Sequence, residues 1–370
     1  MRIAYLLTSL GIGGAEKQVI DIAERMARRG HSVLILVLLP PQTQQWPTIL
    51  PVEHLHIRKT PAAALRGMMR ARRALRTFAP DILHSHTFHA NIVARLLHLS
   101  GSAPRVISTI HNVYEGDWLR MFAYRLTDPL SLRTTAVSHA AAERYIRLHA
   151  VPQRKCTAIP NAIDTSEFDS NATSGAQKRA ELSAGEDFIW LATGRTTAAK
   201  DFPNLVRAFS HVWPSQPNTQ LWIVGDQATR DREKLQSAVM TAPHGTIQRV
   251  RRMGLQREMP AIFCAADAFV LSSAWEGMPL VVGEAMAAEK PVVCTDVGGV
   301  RELVRDAGTI VPSRNPEALA QAMLAVMQLA AAERDARGRA ARQRILAGFD
   351  METRVTEWEA FYEDALALAH

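Results

Sequence analysis

The sequence is short of cysteine and of long apolar runs. Its three cysteines, Cys156, Cys264 and Cys294, are scattered, odd in number and without metal-binding spacing. This pattern does not indicate a disulfide scaffold and is typical of a protein in a reducing cytosol. The longest apolar run, SVLILVLLPP at 32–41, falls far short of the roughly 20 residues of a membrane span and predicts a buried strand. The N-terminus meets glycines too soon for a signal peptide. We therefore expect a cytoplasmic protein without a membrane span.

Negative charge is scarce in the first 160 residues, which hold 21 Lys and Arg against 9 Asp and Glu, whereas the remainder holds 22 against 27. This asymmetry predicts that the N-terminal half faces something anionic. Because no helix-turn-helix, zinc-finger or RNA-binding signature accompanies the charge, we expect no nucleic acid as a partner. A phospholipid surface or a phosphorylated acceptor is the expected partner instead.

The stretch ALRGMMRARRALRTF at 64–78 is the most basic part of this half. Its apolar residues recur at helical spacing, which predicts an amphipathic helix with arginines among its polar positions. Such a helix can lie on anionic lipid at a membrane surface. The pattern favours the other interpretation, the solvated outer helix of a sheet.

Ten short apolar runs, five in each half of the chain, alternate with helical patterns. They predict ten strands of an α/β protein with parallel sheets covered on both faces. A chain of 370 residues is too long for one ordinary core, and a Pro-, Asn-, Asp- and Ser-rich stretch interrupts it near residue 165. We predict two doubly wound domains, 1–164 and 165–349, facing a central cleft. The last helix, at about 350–370, could pack on either domain.

The glycine-rich turn SLGIGGAEKQ at 9–18 follows the first predicted strand and opens a helix. The amides at such a helix start can bind an anion. The glycine spacing and the missing acid after the second strand argue against a dinucleotide site, and a Walker A loop would need Gly-Lys-Ser/Thr. Gly13 and Gly14 are therefore predicted to contact an anion or a substrate, although a tight turn without a ligand is the alternative.

Two cations follow the strand of LATGRTTAAK, namely Arg195 and Lys200. At the carboxyl end of a parallel strand they can neutralise a diphosphate whose bond to a sugar is breaking. A solvated loop is the alternative for both side chains.

The segment AWEGMPLVVGEAMA at 274–287 places Glu276 in a loop and Glu284 about five residues into the following helix. At 1.5 Å per residue that is about 7.5 Å along the helix axis. This spacing fits a nucleotide sugar, with its phosphates at the helix start, its hexose hydroxyls at Glu276 and its ribose hydroxyls at Glu284. It argues against a retaining glycosidase, whose carboxylates stand about 5–5.5 Å apart across one bond. A dipole-stabilising acid beside a surface acid is the structural alternative.

Four histidines stand near two predicted strand ends: His84, His86 and His89 in HSHTFH, and His111 in STIHN. No carboxylate or cysteine partner lies nearby in the sequence, so we expect no metal. His111 is predicted to point into the cleft, where it could bind a substrate hydroxyl or serve acid–base chemistry near neutral pH. A histidine satisfied at the edge of the core is the alternative.

Taken together, these motifs resemble glycosyltransferase family 4, the retaining nucleotide-sugar transferases of GT-B fold. The resemblance runs in order through GGAE, HSH, TIHN, AVS, IPNAID, the Arg–Lys loop, IVGD, the Glu-x7-Glu block, PVVCTDVGGVRELV and a closing G-x-x-V-P. The Glu-x7-Glu spacing is its most specific element. The chain departs from the family at RRMGLQ (251–256), where an aliphatic residue and glycine are common, so the residues that read the base stay open.

The resemblance implies a role for each matching residue. Arg195 and Lys200 would bind the donor diphosphate, Glu284 would bind the ribose, and His111 would lie near the reacting carbon. Gly13 and Gly14 would approach the phosphates. Glu276 would hold the transferred sugar together with the backbone of the turn that follows it, formed by Gly277, Met278, Pro279 and Leu280.

The implied activity is retaining transfer of a hexose or N-acetylhexosamine from a nucleotide sugar, with a UDP-sugar as the first expectation and no cofactor or metal. The basic N-terminal half favours a glycan acceptor on a lipid diphosphate, in cell-surface polysaccharide or lipopolysaccharide synthesis. The enzyme would then be peripheral on the inner face of the cytoplasmic membrane. A GT-B nucleotide-sugar epimerase and a non-catalytic nucleotide-sugar binder are the alternatives.

Overall fold

The computed structural model describes residues 1–58, 60–168, 172–225, 232–243 and 245–368. Contacts divide the chain into two compact units. Unit 1 holds residues 1–162 together with the C-terminal segment from Met351, and unit 2 holds residues 163–350. The last helix of the chain, Met351–Ala367, therefore belongs with the N-terminal residues.

Unit 1 is built on a parallel sheet, which has the strand order β3-β2-β1-β4-β5-β6-β7 within the described residues. Its strands are β1 (Arg2–Leu7), β2 (Ser32–Val37), β3 (Val52–His54), β4 (Ile82–His86), β5 (Val106–Ile110), β6 (Arg133–Ala136) and β7 (Cys156–Ala158). Its helices before the C-terminal one are α1 (Gly14–Arg28), α2 (Pro61–Phe78), α3 (Phe88–Leu99), α4 (Trp118–Thr127) and α5 (His139–Arg147).

Both faces of this sheet are covered by helices. Side chains alternate along a strand, so Ile3 and Tyr5 of β1 face one side while Ala4 and Leu6 face the other. The first side packs against α1 and the C-terminal helix, and the second against α2 and α3. Burial on both faces explains why the central strands read as continuous apolar runs rather than as alternating ones.

Unit 2 repeats the architecture with the strand order β10-β9-β8-β11-β12-β13. Its strands are β8 (Phe188–Thr193), β9 (Thr219–Val224), β10 (Val250–Gly254), β11 (Ala268–Leu271), β12 (Val292–Thr295) and β13 (Thr309–Val311). Its helices are α6 (Ala172–Glu181), α7 (Phe202–Val212), α8 (Arg232–Thr241), α9 (Thr246–Arg249), α10 (Met259–Ala265), α11 (Leu280–Ala287), α12 (Val300–Val304), α13 (Pro316–Gln328) and α14 (Ala331–Gly348).

The prediction of doubly wound α/β domains is confirmed, since each unit is a doubly wound parallel sheet. In each sheet the strand order reverses beside the unit's first strand, between β1 and β4 in unit 1 and between β8 and β11 in unit 2. Ligands of such sheets bind outside the carboxyl ends of the strands at this switch point. The loops after these four strands are therefore where a site is expected.

The arginine-rich stretch forms α2, but its apolar residues do not make one stripe. Leu75 is buried and Met68 and Phe78 pack against the core, whereas Leu65 and Met69 are exposed. The helix is thus mainly a covering helix of the sheet. No helix among the described residues is both long and apolar enough to cross a membrane.

Candidate active site

Two loops of unit 2 meet at its switch point, and an ion pair joins them. Lys200, after β8, places its Nζ 2.7 Å from Oε1 of Glu276, after β11. The Ser273 hydroxyl donates to the same carboxylate oxygen at 2.7 Å, and the Ser272 hydroxyl donates to the Lys200 carbonyl at 2.8 Å. The cation and the carboxylate, which the sequence assigned to different parts of a ligand, are therefore neighbours.

Two glycines allow these loops to approach so closely. A Cβ on Gly194, whose φ is +149°, would lie 2.6 Å from Cε of Lys200, and one on Gly298 would lie 2.1 Å from the Glu276 carbonyl oxygen. Both separations are below van der Waals contact, so a side chain would displace the lysine stem or the Glu276 backbone. The Gly299 amide also donates to the Gly277 carbonyl at 2.7 Å. The loop after β12 thus holds the Glu276–Gly277 backbone in place.

Helix α11 begins directly after this loop, with Pro279 as its N-cap residue. Glu284 is the fifth residue of α11 and is half-buried, while Met278, Pro279 and Leu280 are buried. Along the axis of α11, the helix start therefore comes first and Glu284 follows it within the helix, as the sequence predicted. The N-terminal end of α11 carries the partial positive charge that favours an anion.

Arg195 is exposed at the beginning of the β8 loop. Beside the same loop lies a pocket of about 370 Å³, whose lining includes Thr197, Asp201, Trp275 and Arg314. Trp275 directly precedes Glu276, so the pocket adjoins the ion-paired loop. Arg314 adds a cation that the sequence analysis did not single out.

In unit 1 a pair of histidine rings lies at the carboxyl ends of β4 and β5. His86 Nδ1 and His111 Nε2 are 3.0 Å apart, within hydrogen-bond distance. Burial lowers the pKa of His111 to about 4, and it lowers the pKa of His86 well below its ordinary value. Both rings are therefore neutral near pH 7. A neutral His111 suits hydroxyl binding better than the acid–base role that its unperturbed pKa would allow.

Glu115 is part of the loop that follows His111 and leads into α4. It accepts hydrogen bonds from the His111 amide at 3.1 Å and from the Tyr124 hydroxyl at 2.9 Å. Burial is the main cause that raises the pKa of its carboxyl group to about 7. Glu115 thereby ties the His111 loop to α4, a role that no motif in the sequence announced.

The glycine turn before α1 is occupied by its own side chains. Gly13 is the N-cap residue of α1, and a Cβ there would lie 2.4 Å from Oε2 of Glu16. The Ser9 hydroxyl donates to the other oxygen of Glu16 at 3.2 Å. A carboxylate over the helix start opposes a phosphate at that point, so Glu16 would have to move for Gly13 or Gly14 to contact one.

Two family models match this chain. The model of glycosyl transferases group 1 matches residues 187–328, and the model of glycosyltransferase family 4 matches residues 12–167. Between them they take in most of both sheets.

The chain belongs to glycosyltransferase family 4.

Characterised relatives of this glycosyltransferase act on different acceptors. The Escherichia coli UDP-Gal:alpha-D-GlcNAc-diphosphoundecaprenol alpha-1,3-galactosyltransferase is 26% identical over 243 residues, which are 61% of this chain and 60% of that enzyme. The chain therefore spans about three fifths of that relative's length. The D-inositol 3-phosphate glycosyltransferase of Geodermatophilus obscurus is 27% identical over 364 residues, covering 85% of this chain and 78% of that enzyme.

The fold is also that of solved GT-B glycosyltransferases. Anabaena HepE in complex with UDP-glucose superposes with a TM-score of 0.86 at 19% identity, over 98% of this chain and 100% of HepE. At this identity the similarity concerns the fold. It confirms the predicted GT-B architecture.

Within this transferase, the predicted site residues fall into two sets. Unit 2 brings together the β8 loop, the β11 loop and α11, which carry the charged residues of the prediction. Unit 1 brings His111 to a strand end and Gly13 to the start of α1. The sequence assigned no role to Ser273, Gly298, His86, Glu115 or Arg314. Among the described residues, no group of three His, Cys, Asp or Glu side chains is placed to hold a metal ion.

Proposed function

We propose that this glycosyltransferase moves a hexose or N-acetylhexosamine from a UDP-sugar to a glycan acceptor on a lipid diphosphate, with retention at the anomeric carbon. The product would serve cell-surface polysaccharide or lipopolysaccharide synthesis, at the inner face of the cytoplasmic membrane. The UDP donor is supported by HepE, which was solved with UDP-glucose, and the acceptor by the E. coli enzyme, which acts on a GlcNAc-diphosphoundecaprenol.

The contact between Lys200 and Glu276 is the observation that carries this proposal. Their atoms are 2.7 Å apart, and both side chains are largely buried, with 17% and 12% of their surfaces exposed. A cation that neutralises a leaving diphosphate must stand next to the group that holds the sugar, because the bond that breaks joins the two. Lys200 beside Glu276, at the start of α11, supplies that pairing.

Each group then has one task. Lys200, Arg195 and the α11 helix start would stabilise the charge that develops on the diphosphate as the sugar–oxygen bond breaks. Glu276 would accept hydrogen bonds from the sugar hydroxyls, and Glu284 from the ribose hydroxyls. The acceptor oxygen would form its bond on the face that the diphosphate leaves, and its proton would pass to a diphosphate oxygen. Retention follows from attack on that same face.

Unit 1 would carry the acceptor. Including its C-terminal segment, it holds 22 Lys and Arg against 14 Asp and Glu, which favours a phosphorylated acceptor. The neutral His86–His111 pair would offer its hydrogen-bonding atoms to hydroxyl groups. Because both rings are neutral, neither would interact with the diphosphate as a charged group.

A panel of UDP- and GDP-sugars tests the proposal. The protein is incubated with each donor and with a polyprenyl-diphosphate-linked GlcNAc, and the products are separated by chromatography. We expect release of UDP together with a glycosylated lipid, and NMR of the new linkage should show the donor's anomeric configuration.

Other outcomes of the panel would overturn the proposal. An isomerised donor would identify an epimerase, and donor binding without any product would identify a binder. Faster release of GDP than of UDP would show that the donor is a GDP-sugar. A linkage with the inverted anomeric configuration would exclude attack on the face that the diphosphate leaves.

A further inference from the structure

Helix α4 exposes its large apolar side chains to solvent. Trp118, Leu119, Phe122 and Leu126 recur at helical spacing and occupy one side of α4, and Tyr114 precedes them in the loop. Their exposed fractions are 73% for Trp118, 54% for Leu119, 57% for Phe122, 68% for Leu126 and 50% for Tyr114. Single exposed apolar residues are ordinary, but a cluster of five within 13 residues marks an interaction surface.

The inward side of α4 makes both apolar and polar contacts, and Tyr124 packs in a core cluster with Met121 beside it. Tyr124 is the buried residue of α4, and its hydroxyl donates to Glu115 and accepts from Nδ2 of Asn91 at 2.9 Å. The buried guanidinium of Arg95 donates to the Tyr124 carbonyl at 3.0 Å and to the Thr127 hydroxyl at 3.0 Å. An ordinary surface helix buries its apolar stripe and exposes its polar one. Helix α4 carries apolar side chains on its outer side as well, so its exposed stripe is available to a partner.

This stripe begins close to the predicted acceptor site. Tyr114 and Trp118 follow His111 by three and seven residues, and the Glu115 carboxylate ties the intervening loop to both the His111 amide and α4. The N-terminal end of α4 therefore lies at the edge of the sheet where His111 stands. A lipid chain attached to an acceptor near His111 would have an apolar surface beside it.

Arginines supply the charges of the helix layer that contains α4, whereas Asp117 and Asp128 cap the two ends of α4. Helix α3 packs against both α2 and α4, and these three helices form a layer that we call the arginine layer. They contain eight arginines, of which only Arg95 is buried, and no aspartate or glutamate. On the opposite face of the sheet, α1 and the C-terminal helix contain eight acidic residues and four basic ones. An anionic partner would therefore approach the arginine layer rather than the opposite face.

We propose that the exposed stripe of α4 inserts into the surface of an anionic phospholipid bilayer. Tryptophan and tyrosine favour the boundary between water and lipid, leucine and phenylalanine partition below it, and the arginines attract anionic head groups. A lipid surface meets both the apolar and the basic character of the layer. The inference rests on the proposed lipid-linked acceptor, and it assigns membrane contact to α4 rather than to α2 alone.

Vesicle flotation with the full chain tests the inference. We expect the protein to float with vesicles that contain phosphatidylglycerol and to float less with phosphatidylcholine alone. Trp118 is the only exposed tryptophan of the seven, all of which lie in the described residues, so its emission should shift to shorter wavelength on binding. Trp118→Phe should remove most of that shift while flotation is kept.

Leu126 and Leu99 provide a matched pair of variants. They are 68% and 70% exposed, but Leu99 is the last residue of α3 and does not belong to the α4 stripe. Leu126→Ser should lower the partition coefficient on phosphatidylglycerol vesicles by about tenfold, as expected for one leucine withheld from lipid. Phe122→Ser should do the same, and Leu99→Ser should leave binding within about twofold. None of these changes affects a buried side chain, so folding should be kept.

Three results would overturn the inference. The first is wild-type protein that does not float with anionic vesicles, and the second is equal binding by the Leu126 and Leu99 variants. The third is wild-type self-association that Leu126→Ser abolishes without any vesicle binding, which would assign the stripe to a second copy of the chain. Donor turnover is measured on the same samples. Turnover without flotation defeats only this inference, whereas flotation without turnover defeats the proposed function.

Discussion

The carboxyl edges of the two sheets carry different kinds of side chain, charged in unit 2 and neutral in unit 1. In unit 2 the edge carries full charges in contact, Lys200 and Glu276, near a helix start and an exposed Arg195. In unit 1 the edge carries the neutral rings of His86 and His111, above a carboxyl group, Glu115, whose pKa is raised to about 7. One edge suits a ligand that gains negative charge during reaction, and the other suits uncharged hydroxyls.

The difference follows from the partners that each edge provides. In unit 2, Lys200 and Glu276 have opposite charges and contact each other, so each compensates the burial of the other. In unit 1 burial outweighs the other influences on these groups, so the pKa values of His86 and His111 fall and the pKa of Glu115 rises. The same physical cause thus acts in opposite directions on bases and acids.

Removing the charges of unit 2 should give the largest effect. Lys200→Met deletes the cation beside the proposed diphosphate, and Glu276→Gln keeps the shape of the carboxylate without its charge. We expect each change to lower kcat for sugar transfer by about 10²- to 10³-fold, because each removes a stabilising contact in the transition state. Initial rates of UDP release at saturating donor measure this.

A second ion pair of unit 2 provides the control. Lys178 Nζ lies 2.8 Å from Oε2 of Glu258, a distance close to that in the site. Lys178→Met should change kcat by less than twofold. If Lys200→Met and Lys178→Met have equal effects, the charged edge of unit 2 is not the donor site.

Removing the hydrogen bond of unit 1 should give a smaller effect. His86 is buried and contacts His111 with Nδ1, so His86→Leu deletes one neutral hydrogen bond and frees the His111 ring to turn. A neutral hydrogen bond contributes about 1 kcal/mol, so we expect kcat/KM to fall by about five- to tenfold. His89→Leu, at an exposed histidine on the next helix, should have little effect.

The size of the His86 effect tests the comparison between the edges. A loss as large as that of Lys200→Met would mean that unit 1 also stabilises developing charge. The thermal unfolding midpoint of each variant is measured alongside, since a folding defect would lower activity at both edges.

Most of the fold could be predicted, and the omissions share one cause. All ten strands that the sequence predicted are present, and the three it missed are β3, β7 and β10. These three are the outermost strands of their sheets. An edge strand is short and only half covered, so it lacks the continuous apolar run that identifies a buried parallel strand.

The sequence predicted which residues belong to the site, but it did not predict which of them contact each other. Glu276 and Lys200 were both singled out, yet they are 76 positions apart in the sequence, and only the strand order β8-β11 makes them neighbours. Glu115 carried no signal, because its raised pKa comes from burial, which arises only in the folded chain. The outward apolar stripe of α4 was also hidden, since periodicity shows that a helix has two faces but not which one meets the sheet.

The most diagnostic effect concerns pH. The pKa of the Glu115 carboxyl is raised from about 4.5 to about 7 by folding, so the folded chain holds this proton more tightly than the unfolded chain. Its contribution to the free energy of unfolding is complete below about pH 4.5 and is lost as the pH rises through 7. His111 behaves oppositely, because its pKa is lowered to about 4: its contribution is complete above about pH 6.5 and is lost as the pH falls through 4.

Two variants separate these opposing contributions. Glu115→Gln removes only the first, so the stability of wild type relative to this variant should decline between pH 4.5 and 7, by at most about 3 kcal/mol at 1.36 kcal/mol per pKa unit. His111→Leu removes only the second, so wild type should gain on that variant as the pH rises from 4 to 6.5. Urea unfolding of the three proteins across this range measures both slopes. Slopes of the same sign would contradict a unit 1 edge at which burial keeps acid and base alike uncharged.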